Sequence, residues 1–119
     1  MTKALNNLFW HDGNLVDVSF AIDKKGKSFL KISALFYLNE DAPSRDAYQI
    51  KCESVSRFNC TLDTTELKNN MFAGNISNGY LKDGALWIYI TDGLLEVHAK
   101  KFSLTKCISA VEMLPARSS

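Results

Sequence analysis

Apolar and polar side chains alternate with a period of two along most of this chain, which predicts strands rather than helices. Val16, Val18, Phe20 and Ile22 alternate with Asp17, Ser19, Ala21 and Asp23, the pattern of a half-buried strand. Leu30, Ile32, Ala34, Phe36 and Leu38 form the next such face, with Phe29, Lys31, Ser33, Leu35 and Tyr37 between them. Both faces of this second stretch are fairly apolar, which suits a central strand. Asp23–Ser28 is the turn between the two. For Ile22 to face Leu30 and Phe20 to face Ile32, the loop must hold an odd number of residues. A three-residue turn over Lys25–Lys27 satisfies this, with Gly26 or Lys27 at positive φ.

Glu40–Asp46 is polar and contains a proline, and reads as a loop. Tyr48, Ile50 and Cys52, then Phe58, Cys60 and Leu62, continue an even-numbered apolar face. Val55 falls on the odd face, which places a bulge or bend near Glu53–Ser56. The same spacing turns Cys52 and Cys60 inward as small hydrophobes. Asp63-Thr64-Thr65-Glu66 has the form of a capping box and predicts a short helical turn through Asn69.

Asp92-Gly93 is a strong hairpin signal. With it at the turn, Thr91 faces Leu94, Ile90 faces Leu95, Ile88 faces Val97 and Leu86 faces Ala99. The other side then pairs Tyr89 with Glu96 and Trp87 with His98. One turn thus sorts two strands into an apolar and a polar face.

The run NNMFAGNISNGYLKDG, Asn69 to Gly84, is the stretch most like a motif. A phosphate-binding loop needs glycines followed by a helix N-terminus, yet this run leads into ALWIYITDG, a strand. Lys82 is not followed by Ser or Thr, and Asp83 is the only carboxylate, so neither a Walker loop nor a calcium loop fits. Its glycines are expected to be punctuation, with Met71–Ser77 one strand, Ala85–Asp92 the next and an extended turn between them.

Composition narrows the classes further. The 119 residues suffice for a single domain over 1–119, with a frayed tail after about residue 114. Fourteen basic side chains against thirteen acidic ones give a charge of +1, which argues against direct nucleic-acid binding. No apolar run has the length of a signal peptide or a membrane span. Three cysteines at wide spacing suggest neither a disulfide framework nor a zinc site, and a cytoplasmic location is expected. His11 and His98 sit in no ligand spacing, and no nucleophile elbow is present, so no metal, no cofactor and no catalytic residues are expected.

What remains is a surface. Trp87, Tyr89, Glu96 and His98, with Lys100 beside them, share the outward face of one hairpin. Aromatics rimmed by charge have the composition of a binding hot spot, although a covering layer would make them core instead. Trp10-His11-Asp12-Gly13 is a second patch and a tight turn, with Trp10 expected to anchor on the end of a barrel.

The layout WHDGNLVDVSF, then FNCTLD, then AGNISNGYLKDGALWIYITDGLLEVHAKKF, spanning Trp10 to Phe102, resembles small β-rich bacterial immunity proteins of the contact-dependent growth inhibition and polymorphic-toxin class. The resemblance implies a cytoplasmic protein that binds one cognate toxin domain, often a nuclease, and occludes its active site. It carries over no functional residue. Many nuclease inhibitors are markedly acidic and this chain is neutral, so recognition would rest on local charge and shape.

The expected fold is all-β, an antiparallel β-sandwich or half-open barrel of about six to eight strands with one short helical turn. The expected function is that of an immunity protein. The alternatives are a non-catalytic module for a small ligand or carbohydrate, and a scaffolding domain that pairs through a free edge at Phe72–Ser77.

Overall fold

The computed structural model describes residues 5–62, 65, 74–91 and 93–107. Six strands follow one another: β1 (Gly13–Ile22), β2 (Ser28–Tyr37), β3 (Arg45–Thr61), β4 (Asn75–Lys82), β5 (Ala85–Ile90) and β6 (Gly93–Lys106). They form one antiparallel sheet closed into a barrel in the order β1-β2-β3-β6-β5-β4. Two three-stranded meanders are thus joined along β3–β6 and β1–β4, and β4 returning beside β1 makes a Greek key. The predicted helical turn at 64–69 lies outside the described residues, Thr65 excepted. So does the tail after 107.

Alternation fills the interior as expected. Leu30, Ile32, Ala34 and Phe36 of β2, Ile50 and Cys52 of β3, Leu86, Ile88 and Ile90 of β5, and Leu95 and Val97 of β6 are all buried. The bulge foreseen in β3 is present. Its register against β6 shifts between Val55 and Arg57, and Ser54 takes a φ of 54°.

Both hairpin registers, however, differ by two residues from the expected ones. Ile22 faces Ser28 and Phe20 faces Leu30. The reason is Asp23, whose Oδ1 accepts hydrogen bonds from the backbone N–H groups of Lys25 and Lys27, both at 2.9 Å. This draws the three-residue turn one position toward the N-terminus, to Lys24–Gly26, with Gly26 at a φ of 84°. In the β5–β6 hairpin Ile90 faces Gly93, so Leu86 meets Val97, Ile88 meets Leu95, and Trp87 meets Glu96. Gly93 is needed in the strand and not at the turn, because a Cβ there would stand 1.9 Å from the carbonyl oxygen of Thr61. A shift of two preserves parity, so both faces keep their side chains.

The Asn69–Gly84 run divides differently as well. Asn78-Gly79 is no turn: β4 passes straight through it, with a register shift between Ile76 and Asn78. Asp83-Gly84 does turn, with φ of 53° and 79° at its two central residues, the type I′ signature. Gly79 instead makes room for Trp10, since a Cβ at 79 would lie 2.4 Å from the indole. The expected free edge is not free where it is described: Ile76 pairs with Gly13 on one side and Ile90 on the other.

The chain before β1 plugs the barrel. Leu5 and Trp10 are buried, and the Trp10 ring meets Phe36 edge-on at 5.2 Å. Its Nε1–H donates to the Leu5 carbonyl at 3.0 Å. Burying an indole this fully contributes about 5 kcal/mol of gross transfer free energy. Asn6 then stands in for a strand. Its Nδ2 donates to Leu81 O at 3.1 Å, and its Oδ1 accepts from Leu81 N at 2.8 Å.

Where strands outrun their neighbours, inward parity no longer buries. Beyond Glu53, β3 has lost β2, so Cys60 is exposed rather than enclosed. Phe20 and Ile22 lie past the short β1–β4 seam and are 44% and 62% exposed. Phe20 packs on Phe58 at 5.2 Å instead.

Candidate functional site

Outward positions on β4, β5, β6 and β3 line up in rows across the strands. Tyr80 faces Trp87, Trp87 faces Glu96, and Glu96 faces Asn59. One flanking row runs Asn78, Tyr89, Leu94, Thr61. The other runs Lys82, Ala85, His98, Arg57. This grid brings Trp87, Tyr89, Glu96 and His98 together on one face and adds Tyr80 and Asn59 to them.

Asn59 is exposed and the other five are partly buried, and their side chains are tied to one another. Tyr80 stacks on Trp87 with ring centroids 6.4 Å apart and lies 6.2 Å from Tyr89. The two tyrosine hydroxyls share a hydrogen bond of 3.3 Å. His98 meets the Trp87 ring edge-on at 6.3 Å. Its Nε2–H donates to Glu96 Oε2 at 2.6 Å, and Asn59 Nδ2–H donates to the other oxygen at 3.3 Å. The His98 bond above all, then that of Asn59, holds the Glu96 carboxyl below its usual range. The hydrogen bond from Tyr80 chiefly raises the Tyr89 phenol. A depression of about 320 Å³ opens among Tyr80, Lys82, Asp83, Ala85, Trp87 and His98.

Lys100 does not join this group. β5 begins at Ala85 opposite His98, so Lys100 lies past the last β5 pairing and lines a separate depression with Leu81, Lys82, Asp83 and Gly84. Reading Asn78-Gly79 as a turn hides Tyr80 from the face. The signal was there in the alternation of Tyr80 and Leu81 with the strand that follows.

The second patch divides. Trp10 is core, while His11 and Asp12 lie at a pocket of about 420 Å³ shared with Phe9, Tyr37, Glu40, Ala42 and Pro43. Asp12 takes a φ of 65°, and its carbonyl accepts from Arg45 Nε at 2.9 Å. The Arg45 guanidinium sits 4.8 Å from the centre of the Tyr37 ring.

Among the described residues no three of His, Cys, Asp and Glu are arranged to hold a metal ion, and no helix is long and apolar enough to cross a membrane. Set against protein-family models, curated proteins and solved structures, the chain matches none of them.

Proposed function

We propose that this chain is a non-catalytic binding protein, a cytoplasmic immunity protein whose β4-β5-β6 face seats on a cognate toxin domain and covers its active site. The observation that carries the reading is the row Tyr80–Trp87–Glu96–Asn59, with Tyr89 and His98 at its flanks. Binding energy concentrates in tryptophan and tyrosine that present large area and lose little rotamer freedom. Here stacking and hydrogen bonds within the row have already fixed those side chains, so association orders less. The support of a barrel wall keeps the row rigid.

The alternative, a carbohydrate module, draws on the depression beside Trp87. Sugar recognition needs polar groups that converge on hydroxyls. On this face the tyrosine hydroxyls bond each other, and His98 and Asn59 bond Glu96. That pairing favours a protein partner.

The test is calorimetric titration of the purified chain, wild type and Trp87→Ala/Tyr89→Ala variant, with any candidate toxin domain encoded beside it. Tight binding that weakens at least about a hundredfold in the variant is expected, the cost of one or two hot-spot truncations. Absence of binding to the neighbouring toxin, together with a thermal shift on a glycan panel, would overturn the reading.

A further inference from the structure

A second outward face, on β1, β2, β3 and β6, carries a different chemistry. Its rows read Ala21–Phe29–Glu53–Lys101 and Ser19–Lys31–Lys51–Ser103. Lys31 therefore stands directly opposite Lys51, a like-charged cross-strand pair of the kind that destabilises a sheet. Lys27 and Lys51 hold their ammonium groups 5.4 and 5.0 Å from the centre of the Phe29 ring. Glu53 is shared by Lys27 at 3.3 Å and Lys101 at 3.7 Å. Among the described residues no carboxylate lies within ion-pair distance of Lys31 or Lys51. Lys24 and Lys25, at the tip of the β1–β2 hairpin, extend the same charge. Since the whole chain is only +1, these lysines are offset elsewhere, and Asp12, Glu40, Asp41 and Asp46 gather around the opposite ends of β1, β2 and β3.

We propose that the Lys27–Lys31–Lys51–Lys101 face docks on a carboxylate-rich protein surface. Glu53 acts on Lys51 as well as on Lys27 and Lys101, and carboxylates placed between Lys31 and Lys51 would relieve the remaining repulsion, so bound and free states differ where the cost is stored. One observation favours a protein over a nucleic acid: the Phe29 ring has two ammonium groups against it, which leaves no platform for a stacking base. This face is separate from the Trp87 row and does not depend on it.

The experiment is fluorescence anisotropy of a labelled deca-glutamate peptide, with the wild type, Lys31→Gln/Lys51→Gln and Trp87→Ala/Tyr89→Ala. A labelled decathymidine strand serves as the competing probe. The peptide is expected to bind the wild type at about 50 mM salt and to fade by about 300 mM, as exposed ion pairs do. The lysine variant should bind about tenfold more weakly, the worth of two such pairs, while the aromatic variant matches the wild type. Thermal unfolding guards the comparison, because removing like charges should leave the melting temperature of the lysine variant equal or higher. Equal peptide binding by wild type and lysine variant, no peptide binding at low salt, or tighter binding of the oligonucleotide would each overturn the proposal.

Discussion

Replacing Gly79 by alanine probes how the segment before β1 is seated in the barrel. A methyl group at this position would approach Trp10 Cδ2 and Cε3 to 2.4 Å, where carbon atoms ordinarily rest about 3.5–4.0 Å apart. The indole would have to retreat by about an ångström. Retreat disturbs the edge contact with Phe36 and the 3.0 Å bond to the Leu5 carbonyl, and the second alone is worth about 1 kcal/mol. Overpacking of a filled interior costs about 1–3 kcal/mol. Against it stands the reduced backbone entropy of alanine in a strand, about 0.5–1 kcal/mol. The net expectation is a loss of about 1–2 kcal/mol, measured by urea unfolding followed by far-UV circular dichroism. Trp10→Leu removes the obstructing ring, so in that background the same Gly79→Ala change should be neutral or stabilising. The double-mutant cycle would then show a coupling of about 2 kcal/mol. Equal losses in both backgrounds would refute the contact and, with it, the account of why Asn78-Gly79 lies in a strand.

Gly93→Ala should cost more than Gly79→Ala, because its Cβ meets the Thr61 backbone, which cannot swing aside as a ring can; unfolding midpoints rank the two. Gly84→Ala, with open space around it but a φ of 79°, should cost only the left-handed penalty of about 1–2 kcal/mol. Native thiol titration with a disulfide reagent at pH 8 should modify Cys60 in the folded state, slowed because partial burial raises its thiol too, and Cys52 only after unfolding, since burial pushes the Cys52 thiol up to about 12. Glu96 and Glu53 are both held below the ordinary value of 4.5, by the His98 and Lys27 hydrogen bonds first. A lowered carboxyl pKa stabilises the fold above the unfolded value, and that contribution is lost as pH falls through the folded one. Glu96→Gln or Glu53→Gln should therefore flatten the acid limb of the stability profile below about pH 4.5 and lower stability near neutrality.

Parity was legible in the sequence, and register was not. Alternation assigned Leu86, Ile88, Leu95 and Val97 inward, and Trp87 and Tyr89 outward, because a strand turns each side chain through half a revolution. The shift by two residues in both hairpins turned on contacts between elements distant in sequence, or on a single carboxylate. Gly93 serves Thr61, and Asp23 caps two amides of its own turn. Gly79 misled for the same reason, since its partner Trp10 lies almost seventy positions earlier. Alternation alone therefore marks Trp87, Tyr89, Glu96 and His98 on this face, while Tyr80 depends on β4 running through Asn78-Gly79. Cys60 obeyed parity yet stayed exposed, because alternation says which way a side chain points and not whether a neighbouring strand reaches that far.

The two joints of the barrel are unequal. β3 and β6 lie together from Tyr48 to Thr61, whereas among the described residues β1 and β4 pair at Gly13 and Asn14, flanked by backbone bonds from Asp12 to Ile76 and from Leu15 to Gly74, with Asn6 holding Leu81 by a side-chain amide. Such a cylinder has a hinge along one stave and a clasp along the opposite one. Thermal opening would begin at the clasp, exposing the Leu81 amide to solvent exchange while the hinge stays protected. The wall bearing Tyr80 and Trp87 would then swing as a flap, so the clasp sets how long that face keeps its shape.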